Sequence, residues 1–290
     1  MSPPSLLTRA LSLITLAGTL APALAGPIET TGDKSRYHLF HPTPRAQMRE
    51  LITDRPDQTE SPISVDAGHF QLEMDLVKLT YDRNSPDGVR TEEWNVAPVN
   101  LKIGLLNDVD LQIVFDNYLA VRTRDASGRT QRATGFGDLS ARLKVNLWGN
   151  DGGRTALAIM PYVKFPLSAS DLRNGATEAG LIVPFGIDLG GGWGLGLMTQ
   201  VDFVSADGGG YETEWANFVT LGRDLTDHLA VYVELVGRVG TAPGFPWQGQ
   251  ADCGFTYSLS RDVQLDLGCN FGVTRSAPDY QPFVGLSVRY

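Results

Sequence analysis

Only two cysteines and four histidines occur in the 290 residues, and no stretch beyond the N-terminus is apolar for the length of a spanning helix. The first two scarcities leave little material for a disulfide scaffold or a metal centre. The third excludes membrane-spanning helices. It does not exclude a membrane protein, because barrel strands carry their hydrophobicity in alternation. Basic residues are also in deficit: the net charge is −9, which argues against a nucleic-acid partner, since that would want a basic face. What the chain does have is glycine, at 32 residues, and period-two strands. It ends on one, in which Tyr280, Pro282, Val284, Leu286, Val288 and Tyr290 share a face without Asp, Glu or Lys. Gln281, Gly285, Ser287 and Arg289 fall on the other. A strand with one apolar and one polar face, closed by a terminal aromatic, is expected of an outer-membrane β-barrel, whose outside meets lipid and whose inside meets the lumen.

Residues 1–25 read as a secretory signal peptide: Arg9, an apolar Ala10–Leu20, and Ala23-Leu24-Ala25 before Gly26. Residues 26–68 are polar, contain proline and lie outside the strand pattern, so they are assigned to an N-terminal periplasmic, plug-like segment. From His69 onward strand-like stretches alternate with breaks. Short turns are expected at Asn107-Asp108, Asn150–Gly153, Gly190–Gly192, Thr226-Asp227 and Ser260–Asp262. Longer polar connections are expected at Asp82–Glu93, Thr123–Gly135, Leu167–Ala176, Ala206–Tyr211, Thr241–Trp247 and Ser276–Asp279. Counting between breaks predicts a twelve-stranded antiparallel barrel over residues 69–290, an all-β fold with both termini on the short-turn, periplasmic side. A soluble β-sandwich would not separate short from long connections so regularly. In the first strand the alternation of Phe70, Leu72, Met74 and Leu76 shifts phase to Val77, Leu79 and Tyr81, which predicts a β-bulge near Leu76–Val77.

The stretch Leu51-Ile52-Thr53-Asp54-Arg55-Pro56-Asp57-Gln58-Thr59-Glu60-Ser61-Pro62, then Gly68-His69-Phe70-Gln71-Leu72-Glu73, resembles the start of the MetA-pathway of phenol degradation family. Gly135-Phe136-Gly137-Asp138-Leu139, Leu225-Thr226-Asp227-His228-Leu229, Ala277-Pro278-Asp279-Tyr280 and Val288-Arg289-Tyr290 are similar to it as well. The resemblance covers roughly residues 50–290. It implies an outer-membrane transporter barrel loosely linked to aromatic-compound breakdown, and it carries over no catalytic residues. Gln58 departs from an aromatic expected at that position.

Candidate site residues follow from the alternation. Asp54, Arg55, Asp57 and Glu60 form a charge cluster expected to fold back into the lumen as a plug or gate, with Arg55 paired to Glu73 or Asp75; the competing reading is a flexible periplasmic lead. Lumen-facing candidates are Glu73, Asp75, Lys102, Asp116, Arg142, Lys144, Asp188, Asp202, Glu234, Asp252, Asp266 and Arg289. They read either as a selective constriction or as a salt-bridge network filling a narrow barrel. Aromatics near strand ends suit an interfacial girdle, although Trp94, Tyr211, Trp215 and Trp247 at the outer rim could also meet an aromatic solute. If the Ser260–Asp262 turn sets the register, Cys253 faces Cys269, as a cross-strand disulfide or as two small lipid-facing residues.

An outer-membrane hydrolase would need Ser–His or Asp–His near the outer rim. Here His38 and His41 lie in the extension, and His69 and His228 at periplasmic strand ends. No enzyme, cofactor or metal is therefore expected. The reading is a monomeric channel or transporter for small, hydrophobic or aromatic compounds, passive or gated by the N-terminal segment. The alternative is a non-transporting structural or partner-binding barrel. Expected partners are outer-membrane lipid, the barrel-assembly machinery through the strand ending at Tyr290, and the solute.

Overall fold

The computed structural model describes residues 33–290 except 84, 169–171, 173–174, 207–208 and 243. The signal peptide assigned to 1–25, and residues 26–32 of the segment behind it, lie outside the described residues.

Thirteen strand segments follow a short 3-10 turn, Arg45–Gln47. They are β1 (Phe70–Asp82), β2 (Arg90–Leu106), β3 (Val109–Arg124), β4 (Thr130–Gly135), β5 (Leu139–Trp148), β6 (Thr155–Phe165), β7 (Glu178–Gly190), β8 (Trp193–Ser205), β9 (Tyr211–Asp224), β10 (Leu229–Gly240), β11 (Gln248–Ser260), β12 (Val263–Gly272) and β13 (Tyr280–Arg289). Every strand pairs antiparallel with its neighbours, and β13 returns to β1, so the sheet closes. β3 pairs through Val109–Phe115 with β5 and through Leu119–Arg124 with β4. β4 and β5 therefore lie end to end as one stave broken at residues 136–138, and the barrel has twelve staves.

That broken stave corrects the sequence expectation of a loop over Thr123–Gly135. The connection is only a hairpin tip at residues 125–129, where Asp125 N donates to Arg129 O at 3.1 Å and Gly128 takes φ +87°. β4 has no large apolar residue, and its side chains are mostly exposed. A strand that rises above the lipid needs no apolar face, so alternation does not reveal it.

The other connections fall within a few residues of the predicted breaks. At the β7–β8 turn Gly190, Gly191 and Gly192 take φ of +82°, +64° and +77°, which side chains with a Cβ rarely adopt. The bulge predicted near Leu76–Val77 is present as a register shift between Asp75 and Val77. Cys253 is the register partner of Cys269, and both thiols are free. Directly opposed strand positions hold their Cβ atoms wider apart than a disulfide prefers.

The outside is apolar: Val233, Leu235 and Leu267 are 56%, 63% and 52% exposed. Such a belt, repeated around all staves, is stable against lipid and not against water. The buried groups are mostly polar and lie inside: Lys102, Lys144, Glu73, Asp110 and Gln112 are at most 2% exposed. The core is thus the lumen.

Candidate functional site in the barrel lumen

Residues 43–68 enter the lumen from the short-turn end, turn back near residues 55–60 and leave to begin β1. At the mouth, Arg49 Nε donates to Asp151 Oδ1 at 3.1 Å and its Nη2 to Asn107 O at 2.7 Å, tying the segment to two turns. Ser64 N donates to Asn150 Oδ1 at 3.0 Å, and Lys34 pairs with Asp66 at 3.3 Å and Asp151 at 2.8 Å. The Asp151 carboxyl sits at about 2: burial works to raise it, and Arg49, Lys34 and the Asn107 amide outweigh burial. Across the mouth Arg289 donates to Asp262 at 2.9 Å and to the carbonyls of Arg49 and Glu50 at 2.9 and 3.1 Å.

Deeper, Asp54 accepts from Lys144 Nζ at 2.7 Å and from Ser61 N at 2.8 Å, and pairs with Lys102. Lys102 also pairs with Glu73, which accepts from Asp54 N at 3.1 Å. Burial alone would raise the Asp54 carboxyl, but Lys102 and Lys144 hold it well below the usual range. Arg55 Nη2 lies 2.6 Å from Asp75 Oδ1 and 2.8 Å from Asp266 Oδ1. Gly285 makes room for it: a Cβ there would collide with Arg55 Nη2 and stand 2.6 Å from Asp266 Oδ1.

At the tip, the Gln58 and Thr59 amides donate to Glu234 at 2.8 and 2.9 Å. The Gln58 side chain donates to Asp252 at 2.6 Å, a role that suits an amide where an aromatic was expected. Glu60 pairs with Arg142. Burial first, then Asp54, pushes the Glu60 carboxyl up to about 7, and burial and Glu234 raise that of Asp57.

Of the twelve lumen candidates, Glu73, Asp75, Lys102, Lys144, Asp202, Glu234, Asp252, Asp266 and Arg289 are buried. Asp116 accepts from Asn95 at 2.7 Å away from the segment, and Asp202 binds Arg238 at 3.2 Å toward the long-loop end. Asp188 stands beside the segment near the short-turn end. Arg55 is placed by Asp75 and Asp266, not by Glu73, whose carboxylate Lys102 has taken. Sequence reasoning missed Lys34, Arg49 and Asp66, which no strand parity marks. It also missed a second side of the lumen, where Met160, Ile182, Met198, Ala216, Phe218 and Val236 form one buried apolar cluster across β6–β10. The legible mark is apolar residues on both faces, as in Leu157–Pro161.

Between the segment and the short-turn half of that wall is a cavity of about 220 Å³. Trp94, Tyr211, Trp215 and Trp247 are 48–61% exposed, and Trp215 lies on the outward face of β9, as a girdle requires. His69 contacts Thr43 O and Tyr290 O, and the His228 ring lies tilted near that of Tyr257. Among the described residues no group of His, Cys, Asp and Glu could hold a metal ion.

The model of a family described as "Putative MetA-pathway of phenol degradation" matches residues 53–290. No curated protein matches the chain by sequence. Among solved structures, the COG4313 outer membrane channel from Pseudomonas putida F1 superposes with a TM-score of 0.63 at 12% identity, over 82% of this chain and 100% of that one. The transport unit of the autotransporter AIDA-I from Escherichia coli superposes at 0.50 and 10% identity, over 83% and 92%. These likenesses are of fold.

Proposed function

The chain belongs to the MetA-pathway of phenol degradation family, and from that premise we propose that its barrel is an outer-membrane channel for small hydrophobic or aromatic compounds, closed at rest by its own N-terminal segment. The short turns and the segment face the periplasm in this reading. The observation that carries it is the seating of residues 48–67 inside the lumen, on groups that alternate inward from nearly every stave. The channel named among its structural neighbours agrees with passage. A channel fits better than an enzyme because the four histidines stand at the short-turn rim or in the segment, away from the outer leaflet. The closed barrel and the lipid-facing belt make outer-membrane lipid its solvent, and the strand ending at Tyr290 is the element offered to assembly machinery.

Single-channel conductance of the refolded chain in planar bilayers, with and without residues 26–68, tests the proposal. Conductance that appears or rises sharply on deletion supports a plugged pathway. Arg55→Ala, which loosens the segment without removing it, is expected to give brief openings of the same size. Silence in every variant, with the barrel folded, overturns the channel reading in favour of a non-transporting barrel.

A further inference from the structure

The lumen is two-sided. The charged groups that grip the segment come chiefly from β1–β3, β5 and β10–β13: Glu73, Asp75, Lys102, Lys144, Glu234 and Asp266. Across β6–β10 the inward side chains at mid-height are instead Met160, Ile182, Met198, Phe218 and Val236. Toward the short-turn end of that side the wall becomes glycine. Gly186, Gly194 and Gly196 line the cavity of about 220 Å³ together with Ile52, Pro56 and Pro62 of the segment.

We propose that this apolar seam is the solute pathway and that the cavity below it is a binding site for one uncharged, single-ring aromatic or similarly sized apolar molecule. The inference deepens the channel reading and rests on it.

Size and chemistry set the class. An apolar cavity of roughly 150 Å³ suffices for benzene, so about 220 Å³ admits one substituted ring. The ionisable groups along its margin are four carboxyls, Glu50, Asp57, Glu60 and Asp188, against Arg154 and an Arg55 already bound by Asp75 and Asp266, so the margin as a whole disfavours an anionic ring such as a benzoate. The barrier between cavity and seam is thin. A Cβ on Gly196 would stand 3.2 Å from the Thr59 methyl, and one on Gly186 3.3 Å from Pro62. Two residues along the same strand face, the Met198 sulfur accepts from Glu60 N at 3.3 Å. Displacing residues 59–62 joins the cavity to the seam by breaking the bonds of Thr59 to Glu234, Glu60 to Arg142 and Ser61 to Asp54, while Arg55 keeps Asp75 and Asp266 and Asp54 keeps Lys102 and Lys144.

Gly194 supplies the test. It lines the cavity, its φ is ordinary, and a Cβ there meets nothing within 4 Å, so Gly194→Leu fills the site without disturbing the wall. The mature chain, labelled at its methionine methyls, would be titrated in detergent with fluorobenzene and, separately, with 4-fluorobenzoate. Met160 and Met198 report the seam, and Met74, paired on the lipid-facing side with Leu286, reports solute merely dissolved in detergent. The expected result is a saturable shift of the Met198 methyl with fluorobenzene, its loss in Gly194→Leu, and no response to 4-fluorobenzoate. An equal response in Gly194→Leu, an equal response to the benzoate, or a Met198 shift that only tracks Met74 overturns the site. If the seam stays silent while deletion of residues 26–68 still opens a conductance, the apolar route is wrong and the plugged channel stands; if both are silent, both readings fall.

Discussion

Asp54 is the residue on which the segment turns. Its carboxylate binds Lys102 and Lys144, from β2 and β5, and it closes the 54–61 loop by accepting from Ser61 N. Removing one member of a buried ion cluster strands its partners in low dielectric, at about 3–5 kcal/mol. Asp54→Asn is therefore expected to release the segment, read as new proteolytic cleavage within residues 48–65 while the barrel stays resistant; an unchanged pattern would falsify the assignment. Gly285→Ala is expected to act through Arg55, whose guanidinium occupies the space a Cβ needs. Conductance should open as in Arg55→Ala, with little further effect when the two changes are combined. Alternation alone places Glu73, Asp75, Lys102 and Lys144 on the inner face, because parity in a strand is a local property. Which carboxylate Arg55 meets is not local. Asp266, 211 residues away, reaches it only because β12 lies one strand beyond β13.

At the scale of elements, the segment should respond to pH. Glu60 faces Arg142 and Lys144 from β5, Lys102 from β2 and Asp54 from its own loop; Asp57 faces Glu234 from β10 and the Thr220 hydroxyl from β9. Both carboxyls hold protons more tightly docked than free. Free Glu60 ionises near its ordinary 4.5 and docked Glu60 near 7, so docking is strongest below the lower value and weakens as pH rises to the upper one. Asp57 adds in the same direction. Asp54, held below its ordinary range, stabilises docking above that range and loses the effect only in stronger acid. Channel openings should therefore become more frequent from pH 5 to pH 8, and Glu60→Gln should flatten the rise. A wild-type open probability independent of pH would remove the tip carboxyls from gating. The broken stave β4–β5 belongs to this scale too. Its lower half was legible in Leu139, Ala141, Leu143, Val145 and Leu147, and its upper half was not, since polar strand and polar loop have the same composition.

At the scale of the whole molecule, closure depends on the two chain ends of the barrel meeting. Phe70 and Tyr290 exchange backbone bonds at 2.8 and 3.2 Å, next to the pairing of Gln71 with Arg289. Deleting residues 288–290 is expected to lower the yield of barrel that migrates fast on unheated gels, and to lower its level in the outer membrane more than a single Tyr290→Ala change does. Equal folded yield from all three chains would mean that closure does not need the last residues. The free Cys253 and Cys269 predict two alkylatable thiols after denaturation without reductant.

The sequence by itself determined compartment, strand number, most turn positions, the inward face of the strands that carry one polar side and the phase shift in β1. All of these follow from period-two alternation and turn chemistry, which are written within a dozen residues. Only the tertiary structure decided that Lys102 and Lys144 converge on Asp54, that Arg55 bridges Asp75 and Asp266, and that the lumen divides into a charged and an apolar side. Those facts depend on which staves stand opposite one another across a closed ring, a relation between residues far apart in the chain that no local pattern records.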